Sequence, residues 1–373
     1  MDEPKSRYLI QSIVHAAQVL AAFKSPGEVL RLPDIAERTG FNRGMCFRLL
    51  FTLHRCGFLE KVSNSQYRLV SERQPQRRFR IGFSYEGRDS SFVREVLSSL
   101  ALAAKQESVE LITVENRSNS KLAVRNAEQL IRDQVDLVIE LQTNRVVDAA
   151  VADIYLTRGI PLIAADIPHP GATYFGANNY EAGLIAGRHL GRWAKAHWAG
   201  QPDQLLLLDI SRGGPAAQAR VRGMLKGVNE QLGPIDHVPV STLDGDAAFK
   251  PSLDVVRRWL RGTPLKRVLV GAANDQSALG ALRAFEEAGR ASYCAVVGQS
   301  AAPEARAELR EPRTRLIGSV AYFPERYGDG LIRLALDILL HKPVSPGCFV
   351  HHQMITPENV DHFYPNDTLL VAS

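Results

Sequence analysis

Two arginines near the N-terminus, Arg43 and Arg48, have the chemistry to bind a polyanion. Arginine offers a planar set of N–H donors that can bind a guanine edge or a phosphate group. Residues 1–80 carry 14 Lys and Arg against 7 Asp and Glu, a net charge of +7, although the whole chain carries only +5. This basic excess indicates either a surface that binds a polyanion or an ordinary solvated basic surface.

The elements that position these arginines can be predicted from apolar spacing and from turn residues. Apolar residues three and four positions apart predict a first helix whose buried stripe consists of Ile10, Ile13, Val14, Ala17, Leu20 and Ala21. The chain breaks at Pro26-Gly27, and a second helix over Leu32–Arg38 ends at Thr39-Gly40. Asn42 can cap a third helix by accepting from free backbone N–H groups.

The third helix has two different sides. Its inward side consists of Cys46, Leu49, Leu50 and Leu53, and its outward side of Arg43, Phe47, Arg48 and Phe51. Two short strands follow, Phe58–Val62 and Gln66–Val70, with a turn at residues 63–65 between them. Three helices followed by a hairpin describe a winged helix-turn-helix.

The N-terminal segment also resembles a known family, the IclR-type DNA-binding domain. The resemblance lies in Leu32–Gly40, Arg48–Leu53, Gly57–Leu59 and Tyr67–Leu69. It implies that the third helix enters the major groove and that the hairpin lies along the DNA backbone. The candidate DNA-binding residues are Arg43, Gly44, Met45, Phe47, Arg48 and Thr52 on the helix and Lys61 and Arg68 in the wing.

This assignment has an alternative and a departure from the family. Each of these basic side chains could instead be a solvated surface residue. The family usually has small hydroxyl residues at the start of the reading helix, where this chain has Arg43, Gly44 and Met45. We therefore expect that the DNA sequence bound by this chain cannot be inferred from other members of the family.

The rest of the chain alternates between strand and helix patterns. Examples are the predicted strands Glu110–Glu115, Leu137–Leu141 and Gln204–Asp209 and the predicted long helix Ala182–His197. This alternation predicts an α/β fold with two doubly wound parallel sheets and a ligand cleft between two lobes. We expect a winged helix-turn-helix over residues 1–71, a linker over 72–78 and the two-lobed domain over 79–373.

Four segments of the large domain resemble the periplasmic-binding-protein-like sugar sensors, which include ribose-binding proteins and LacI-type regulators. These segments are Gly176–Gly183, Asn274–Leu282, Val297–Gly298 with Pro303 and Gly318–Tyr322, and Ile355–Pro365. The resemblance implies a ligand role for Arg220, Asn274, Asp166 and the aromatic Phe249. The alternatives are a surface salt bridge for Arg220 or Asp166, a strand-end cap for Asn274 and core packing for Phe249.

Departures from that family affect the expected ligand. The family often has an arginine at the position of Ile167, Phe-Asp at the positions of Gln299-Ser300 and a polar residue at the position of Tyr322. These differences favour a ligand that is less hydroxylated, acidic or larger than a simple pentose. Tyr85 and Glu86 follow the first strand and either contact the ligand or face solvent. The full set of candidate ligand-binding residues is Tyr85, Glu86, Phe92, Asp166, Arg220, Phe249, Asn274, Ser300 and Tyr322.

Other functions are disfavoured by missing patterns. We find no phosphate-binding glycine loop, dinucleotide fingerprint or nucleophile elbow, so we expect neither an enzyme nor a cofactor. His351-His352 has no third ligand at metal spacing and reads as a strand pair. The polar segment Met1–Arg7 lacks the apolar run of a signal peptide, and the four cysteines fit a reducing compartment.

The sequence therefore predicts a cytoplasmic, ligand-responsive transcription regulator. We expect it to bind a double-stranded DNA operator and a small sugar-like effector, as a homodimer or a dimer of dimers, without a membrane partner. Two rivals remain from other classes, a secreted solute receptor and a DNA-binding protein that needs no effector.

Overall fold

The computed structural model describes residues 10–25, 27–63, 65–70, 78–142, 145–235, 237–264 and 266–367. The chain divides into two units, Met1–Arg78 (unit 1) and Phe79–Ser373 (unit 2). Of the predicted linker, only Arg78 belongs to the described residues. Pro26 of the predicted break and Asn64 of the predicted turn lie outside them.

Unit 1 contains helices and a small antiparallel sheet. The helices are α1 (Gln11–Ala21), α2 (Leu32–Thr39) and α3 (Arg43–Arg55), and the strands are β1 (Val29–Arg31), β2 (Leu59–Ser63) and β3 (Gln66–Leu69). The sheet has the order β1-β3-β2. The hairpin β2–β3 confirms the predicted wing, whereas β1, at three residues, is too short to give a sequence pattern.

The turn between α2 and α3 follows from two residues. Gly40 takes a left-handed backbone conformation with a φ of 73°, which glycine adopts without the steric penalty of a side chain. The Asn42 side chain then accepts a hydrogen bond from the Met45 N–H at 2.9 Å and caps α3. Cys46, Leu50 and Leu53 are buried, as predicted, and they orient the opposite side of α3 outward.

The predicted buried stripe of α1 is wrong. Ile10 and Ile13 are 61% and 63% exposed, whereas Val19, Ala22 and Phe23 form the buried face. Ala17 and Ala21 are also exposed, and Val14 and Leu20 are half-buried. In this alanine-rich helix, apolar residues at helical spacing occur on two adjacent faces, so the spacing alone does not identify the buried face. The face that continues into Phe23 is buried because that ring joins the core of unit 1.

Unit 2 consists of two lobes, each with a sheet covered by helices. The sheet of lobe 1 is wholly parallel and has the order β14-β8-β7-β6-β4-β5. Its strands are β4 (Arg80–Tyr85), β5 (Glu110–Glu115), β6 (Leu137–Leu141), β7 (Leu162–Ala165), β8 (Thr173–Gly176) and β14 (Gly347–Phe349). Its helices are α4 (Ser91–Gln106), α5 (Ser120–Arg132), α6 (Arg145–Leu156) and α12 (Tyr327–Leu339).

Lobe 2 has the sheet order β10-β9-β11-β12-β13-β15, in which only β15 is antiparallel. Its strands are β9 (Gln204–Asp209), β10 (Val240–Asp244), β11 (Val268–Ala272), β12 (Cys294–Ser300), β13 (Leu316–Ala321) and β15 (Gln353–Ile355). Its helices are α7 (Asn179–Trp198), α8 (Gly214–Leu232), α9 (Phe249–Gly262), α10 (Asp275–Glu287), α11 (Pro303–Leu309) and α13 (Val360–Phe363). The central strands are buried throughout, as expected for parallel sheets covered on both faces.

The chain crosses between the lobes after β8, after β13 and between β14 and β15. Two of these crossings are hydrogen-bonded to each other, because the Asn178 N–H donates to His352 Nε2 at 3.0 Å and the Val350 N–H donates to the Gly176 carbonyl at 2.9 Å. His351 and His352 therefore lie in a crossing segment, and the predicted strand pair is wrong. A Cβ on Gly176 would lie 2.4 Å from Asp166 Oδ1, so this crossing requires glycine.

Candidate functional site

A cavity of about 170 Å³ lies between the two lobes of unit 2, at the carboxyl ends of their strands. Lobe 1 contributes Glu86, Ser90, Ser91, Phe92, Val93, Leu141, Asp166 and Ile167. Lobe 2 contributes Ile210, Arg212, Ala217, Arg220, Ala247, Asn274, Asp275, Gln276, Ser300 and Ala302, and Tyr322 comes from a crossing segment. Polar groups from both lobes and apolar side chains therefore face one enclosed space.

Arg220 is a buried cation in this cavity. Its Nε donates to Asn179 Oδ1 at 2.6 Å and its Nη1 donates to the Ala273 carbonyl at 2.9 Å. The guanidinium carbon lies 5.1 Å from the centre of the Tyr322 ring. Of the five N–H groups of the guanidinium, these two bonds use one on Nε and one on Nη1. Within the described part of the chain, the second N–H of Nη1 and both N–H groups of Nη2 have no acceptor, so they are left to donate to a ligand.

The close packing of two helices places Arg220 there. A Cβ on Gly183 of α7 would lie 2.0 Å from the carbonyl oxygen of Arg220 on α8. Gly187 meets the Met224 carbonyl in the same way, one turn further along. The glycines therefore let the two backbones touch, and this contact fixes the position from which the Arg220 side chain reaches the cavity.

Asp166 is the acid of lobe 1 that faces this cation. It follows β7 with a φ of 61°, and its Oδ1 accepts from the Ala177 N–H at 3.1 Å and from the Tyr327 hydroxyl at 3.0 Å. Burial raises the pKa of the Asp166 carboxyl above its ordinary value, and the charge of Arg220 opposes that rise. Burial by itself lowers the pKa of the Arg220 guanidinium. The electrostatic effects of Tyr322 and Asp166 raise this pKa, and the net result lies above the ordinary value.

Asn274 both caps a helix and lines the cavity. Its Oδ1 accepts from the Ser277 N–H at 3.0 Å, and its Nδ2 donates to the Ala247 carbonyl at 2.8 Å. The capping alternative considered from the sequence is therefore present in the structure. Each amide atom still has one further hydrogen-bonding position, because Nδ2 carries two hydrogens and Oδ1 two lone pairs.

Asp275 is a cavity residue that the sequence prediction missed. Its carboxylate accepts from Ser319 Oγ at 2.6 Å, from Ser300 Oγ at 3.1 Å and from the Ala302 N–H at 2.7 Å. Burial raises the pKa of Asp275 to about 7. Its position beside Asn274, directly after a buried strand, is the sequence signal that could have identified it.

Polar bonds join the lobes next to the cavity. Arg212 of lobe 2 donates from Nη1 to Glu86 Oε1 of lobe 1 at 3.2 Å. Further along, Ser91 Oγ donates to Glu304 Oε2 at 2.7 Å, and Arg306 Nη2 donates to Glu95 Oε1 at 3.0 Å. These contacts link the two lobes directly.

Two predicted ligand-binding residues lie outside the cavity. Tyr85 is buried against Phe83, and its hydroxyl accepts from Arg88 Nε at 2.9 Å. Phe249 begins α9 and lines a separate surface groove with Leu279, because its side chain points along the outside of lobe 2. The predicted cavity residues that the structure does bring together are Glu86, Phe92, Asp166, Arg220, Asn274, Ser300 and Tyr322.

A second candidate site is the outward side of α3 in unit 1. Arg43, Arg48 and Arg55 are exposed, and none forms an ion pair with a carboxylate of the described residues. Helix α3 itself contains no acidic residue. The surface therefore presents positive charge that the described part of unit 1 does not neutralise.

Three other arginines of unit 1 are paired with carboxylates. The pairs are Arg31–Asp34 at 3.6 Å, Arg38–Glu28 at 2.8 Å and Arg68–Glu60 at 2.7 Å. Two of the predicted DNA-binding residues lie in the hairpin. Arg68 is paired with Glu60 of the neighbouring strand β2, and Lys61 is exposed.

The remaining predicted residues of α3 differ in their environment. Thr52 donates its hydroxyl hydrogen to the Arg48 carbonyl at 2.9 Å, and Met45 is half-buried. Gly44 and Phe47 are exposed on the outward side. The structure therefore groups Gly44, Phe47 and Arg48 on one surface and turns Thr52 back onto its own helix.

The fold and the cavity define a two-lobed ligand-binding protein carrying a separate helix-turn-helix unit. The chain belongs to the periplasmic binding protein family, since residues 81–343 match the family described as "Periplasmic binding protein domain". Residues 12–63 match the family described as "IclR helix-turn-helix domain". No curated protein matches the chain.

Several solved structures with a similar fold are named as binding proteins. A periplasmic solute binding protein from Actinobacillus succinogenes 130z with bound D-allose is 20% identical, with a TM-score of 0.67 over 76% of this chain and 100% of that chain. A solute binding protein from Bacillus halodurans C-125 with bound myo-inositol is 21% identical, with a TM-score of 0.67 over 77% of this chain and 98% of that chain. A glucose-galactose binding protein from Geobacillus stearothermophilus is 20% identical, with a TM-score of 0.64 over 76% and 98%.

Two kinds of feature are absent from the described residues. No helix there is long and apolar enough to cross a membrane. No group of three or more His, Cys, Asp or Glu side chains in the same residues is placed to hold a metal ion.

Proposed function

We propose that this protein is a DNA-binding transcription regulator whose activity responds to a small polar ligand in the cavity of unit 2. One observation carries the proposal. A helix-turn-helix unit, whose α3 arginines have no ion pair to a described residue, is joined in one chain to a two-lobed unit whose buried Arg220 keeps N–H donors unused within the described residues. Neither matched family describes an enzyme.

The cavity supports a ligand with several hydroxyl groups. Asp166, Asp275 and Asn274 offer acceptors and Arg220 offers a donor, which is the set that binds neighbouring hydroxyls. Phe92, Ile167, Ile210 and Tyr322 supply apolar surface for the less polar face of a ring. Similarly folded proteins bind D-allose and myo-inositol, and we extend that ligand class, sugars and polyols, to this chain.

A ligand in this cavity would favour the closed form. Arg220 lies on lobe 2 and Asp166 on lobe 1, so one small molecule that contacts both residues binds the closed cleft better than an open one. A ligand can shift the open–closed balance only by this difference in affinity. We propose that two copies of the chain bind a near-palindromic operator in the cytoplasm and that closure changes their fit to the two half-sites.

A thermal-shift screen of sugars, sugar acids and polyols tests the ligand site. We expect one compound to raise the melting temperature of the wild-type protein, and Arg220→Ala to abolish the shift. Arg222→Ala is the matched control, since Arg222 is exposed on the same helix and does not line the cavity. An equal shift in wild type and Arg220→Ala would reject the cavity as the binding site.

A further inference from the structure

The outward side of α3 carries two phenylalanine rings in addition to its arginines. Phe47 and Phe51 are 55% and 57% exposed, and their stacked rings have centroids 6.5 Å apart. They lie four residues apart and so share one face of the helix. Because two exposed aromatic rings on one face expose apolar surface to water, a partner that covers them would gain binding free energy.

Gly44 lies on the same side, four residues before Arg48. A Cβ at this position would meet only Asn42 Oδ1, at the ordinary contact distance of 3.6 Å. Packing within unit 1 therefore does not require glycine, although glycine is unfavourable in a helix. A surface that approaches α3 closely from outside would account for it.

Charge identifies the kind of partner. Arg43, Arg48 and Arg55 surround the rings and have no carboxylate partner among the described residues. A second copy of α3 would bring the same positive charges to this surface and be repelled. A polyanion that also carries apolar groups fits both features, and DNA is such a partner.

We infer that Phe47 and Phe51 contact the 5-methyl groups of thymines in the major groove, while Gly44 lets the helix approach the bases. This inference rests on the proposed DNA binding of α3. Thymine is the base that shows a methyl group in the major groove, and apolar side chains pack against it. The bound sequence should therefore contain thymines beside the bases or phosphates that the arginines contact.

The test begins with selection of bound duplexes from a random library by the full-length protein. Each thymine of the selected site is then replaced by deoxyuridine, which removes only the methyl group. Wild-type affinity should fall about four-fold for each contacted methyl, the effect of burying one such carbon. Phe47→Ala or Phe51→Ala should bind the thymine duplex more weakly and lose this sensitivity at one position.

Phe58→Ala is the control, because Phe58 is 54% exposed in the same unit but lies beyond the end of α3. Phe58→Ala should lose as much affinity as wild type when thymine is replaced by deoxyuridine. All three variants should melt at the wild-type temperature. An unchanged uracil effect in Phe47→Ala and Phe51→Ala would overturn the inference, as would a change of oligomeric state with that effect intact. If no duplex is selected at all, the proposed DNA binding fails instead.

Discussion

Arg48 of unit 1 and Arg220 of unit 2 are the same side chain in opposite environments. Arg48 is exposed, with no ion pair to a described residue, whereas Arg220 is buried and held by Asn179, the Ala273 carbonyl and the Tyr322 ring. A free arginine attracts a polyanion over distance but loses rotamer freedom of about 2 kcal/mol when it binds. A buried, already ordered arginine suits discrimination among small molecules of similar shape.

Salt provides the largest expected contrast between the two sites. If α3 and the wing together neutralise about four phosphates, DNA affinity should fall about a hundred-fold between 50 and 200 mM salt. Ligand affinity at the buried Arg220 should change less than about two-fold, since buried pairs are screened little. Titrations of DNA and of ligand at both salt concentrations measure this. Equal salt dependence at the two sites would remove the distinction.

Removal of single arginines sharpens the same comparison. Arg43→Ala and Arg48→Ala should each weaken operator binding by roughly 1–3 kcal/mol if the side chain contacts a base. The free energy of unfolding of unit 1 should stay within about 0.5 kcal/mol of wild type, because both side chains are exposed. Binding assays and thermal melts measure the two quantities. Unchanged DNA affinity in both variants would reject α3 as the DNA-binding element.

The pH dependence of stability should also separate the units, because a buried acid lies in lobe 1 of unit 2. Glu140 accepts a hydrogen bond from the Tyr155 hydroxyl, and burial raises its pKa to about 8. Folded unit 2 therefore keeps a proton that the unfolded chain releases, so its stability falls as pH rises from about 4.5 to 8. Asp275 acts in the same direction.

We expect Glu140→Gln to reduce this fall by roughly 3–4 kcal/mol. The described part of unit 1 has no buried Asp, Glu, His, Lys or Arg side chain, so its melting should show little of this dependence. Calorimetric melts at pH 5 and pH 8 measure both transitions. The same pH slope in wild type and in Glu140→Gln would show that Glu140 is not the cause.

Two helix caps give the smallest expected effects. Asn42 caps α3 and Asn274 caps α10, each by accepting a backbone N–H through Oδ1. Replacement of either by alanine should destabilise its own unit by about 1 kcal/mol. Asn274→Ala should in addition weaken ligand binding, because Asn274 lines the cavity. A ligand affinity equal to that of wild type would leave Asn274 with a capping role alone.

Much of the fold could be predicted from the sequence because its patterns are local. The bounds of β5, β6 and β9 are confirmed as predicted, and α2 ends at Gly40, as its glycine indicated. The elements that were missed depend on distant contacts. Strand β14 has three residues and exists because it pairs with β8, more than 170 positions earlier in the chain. Helix α7 was predicted but begins three residues earlier, because the Asn178 side chain caps it, and this signal is local.

The site was predicted in part, for the same physical reason. Asp166 follows β7 and Asn274 follows β11 to cap α10, so their positions place them at the edge of a sheet. Arg220 lies within α8, and its motif rather than a strand end identified it. Phe249 and Tyr85 do not line the cavity, because the direction of a side chain depends on the packing around it. The bond between Arg212 and Glu86 joins residues 126 positions apart and has no local sequence signal.

The central claim is that a ligand in unit 2 changes the DNA affinity of unit 1. Titration of the selected duplex by fluorescence anisotropy, with and without a saturating amount of the ligand found by thermal shift, tests it directly. We expect the ligand to change the Kd for DNA by at least about five-fold, and bound DNA to change the Kd for the ligand by the same factor. The same Kd for DNA with and without ligand, in a protein that binds both, would contradict the account.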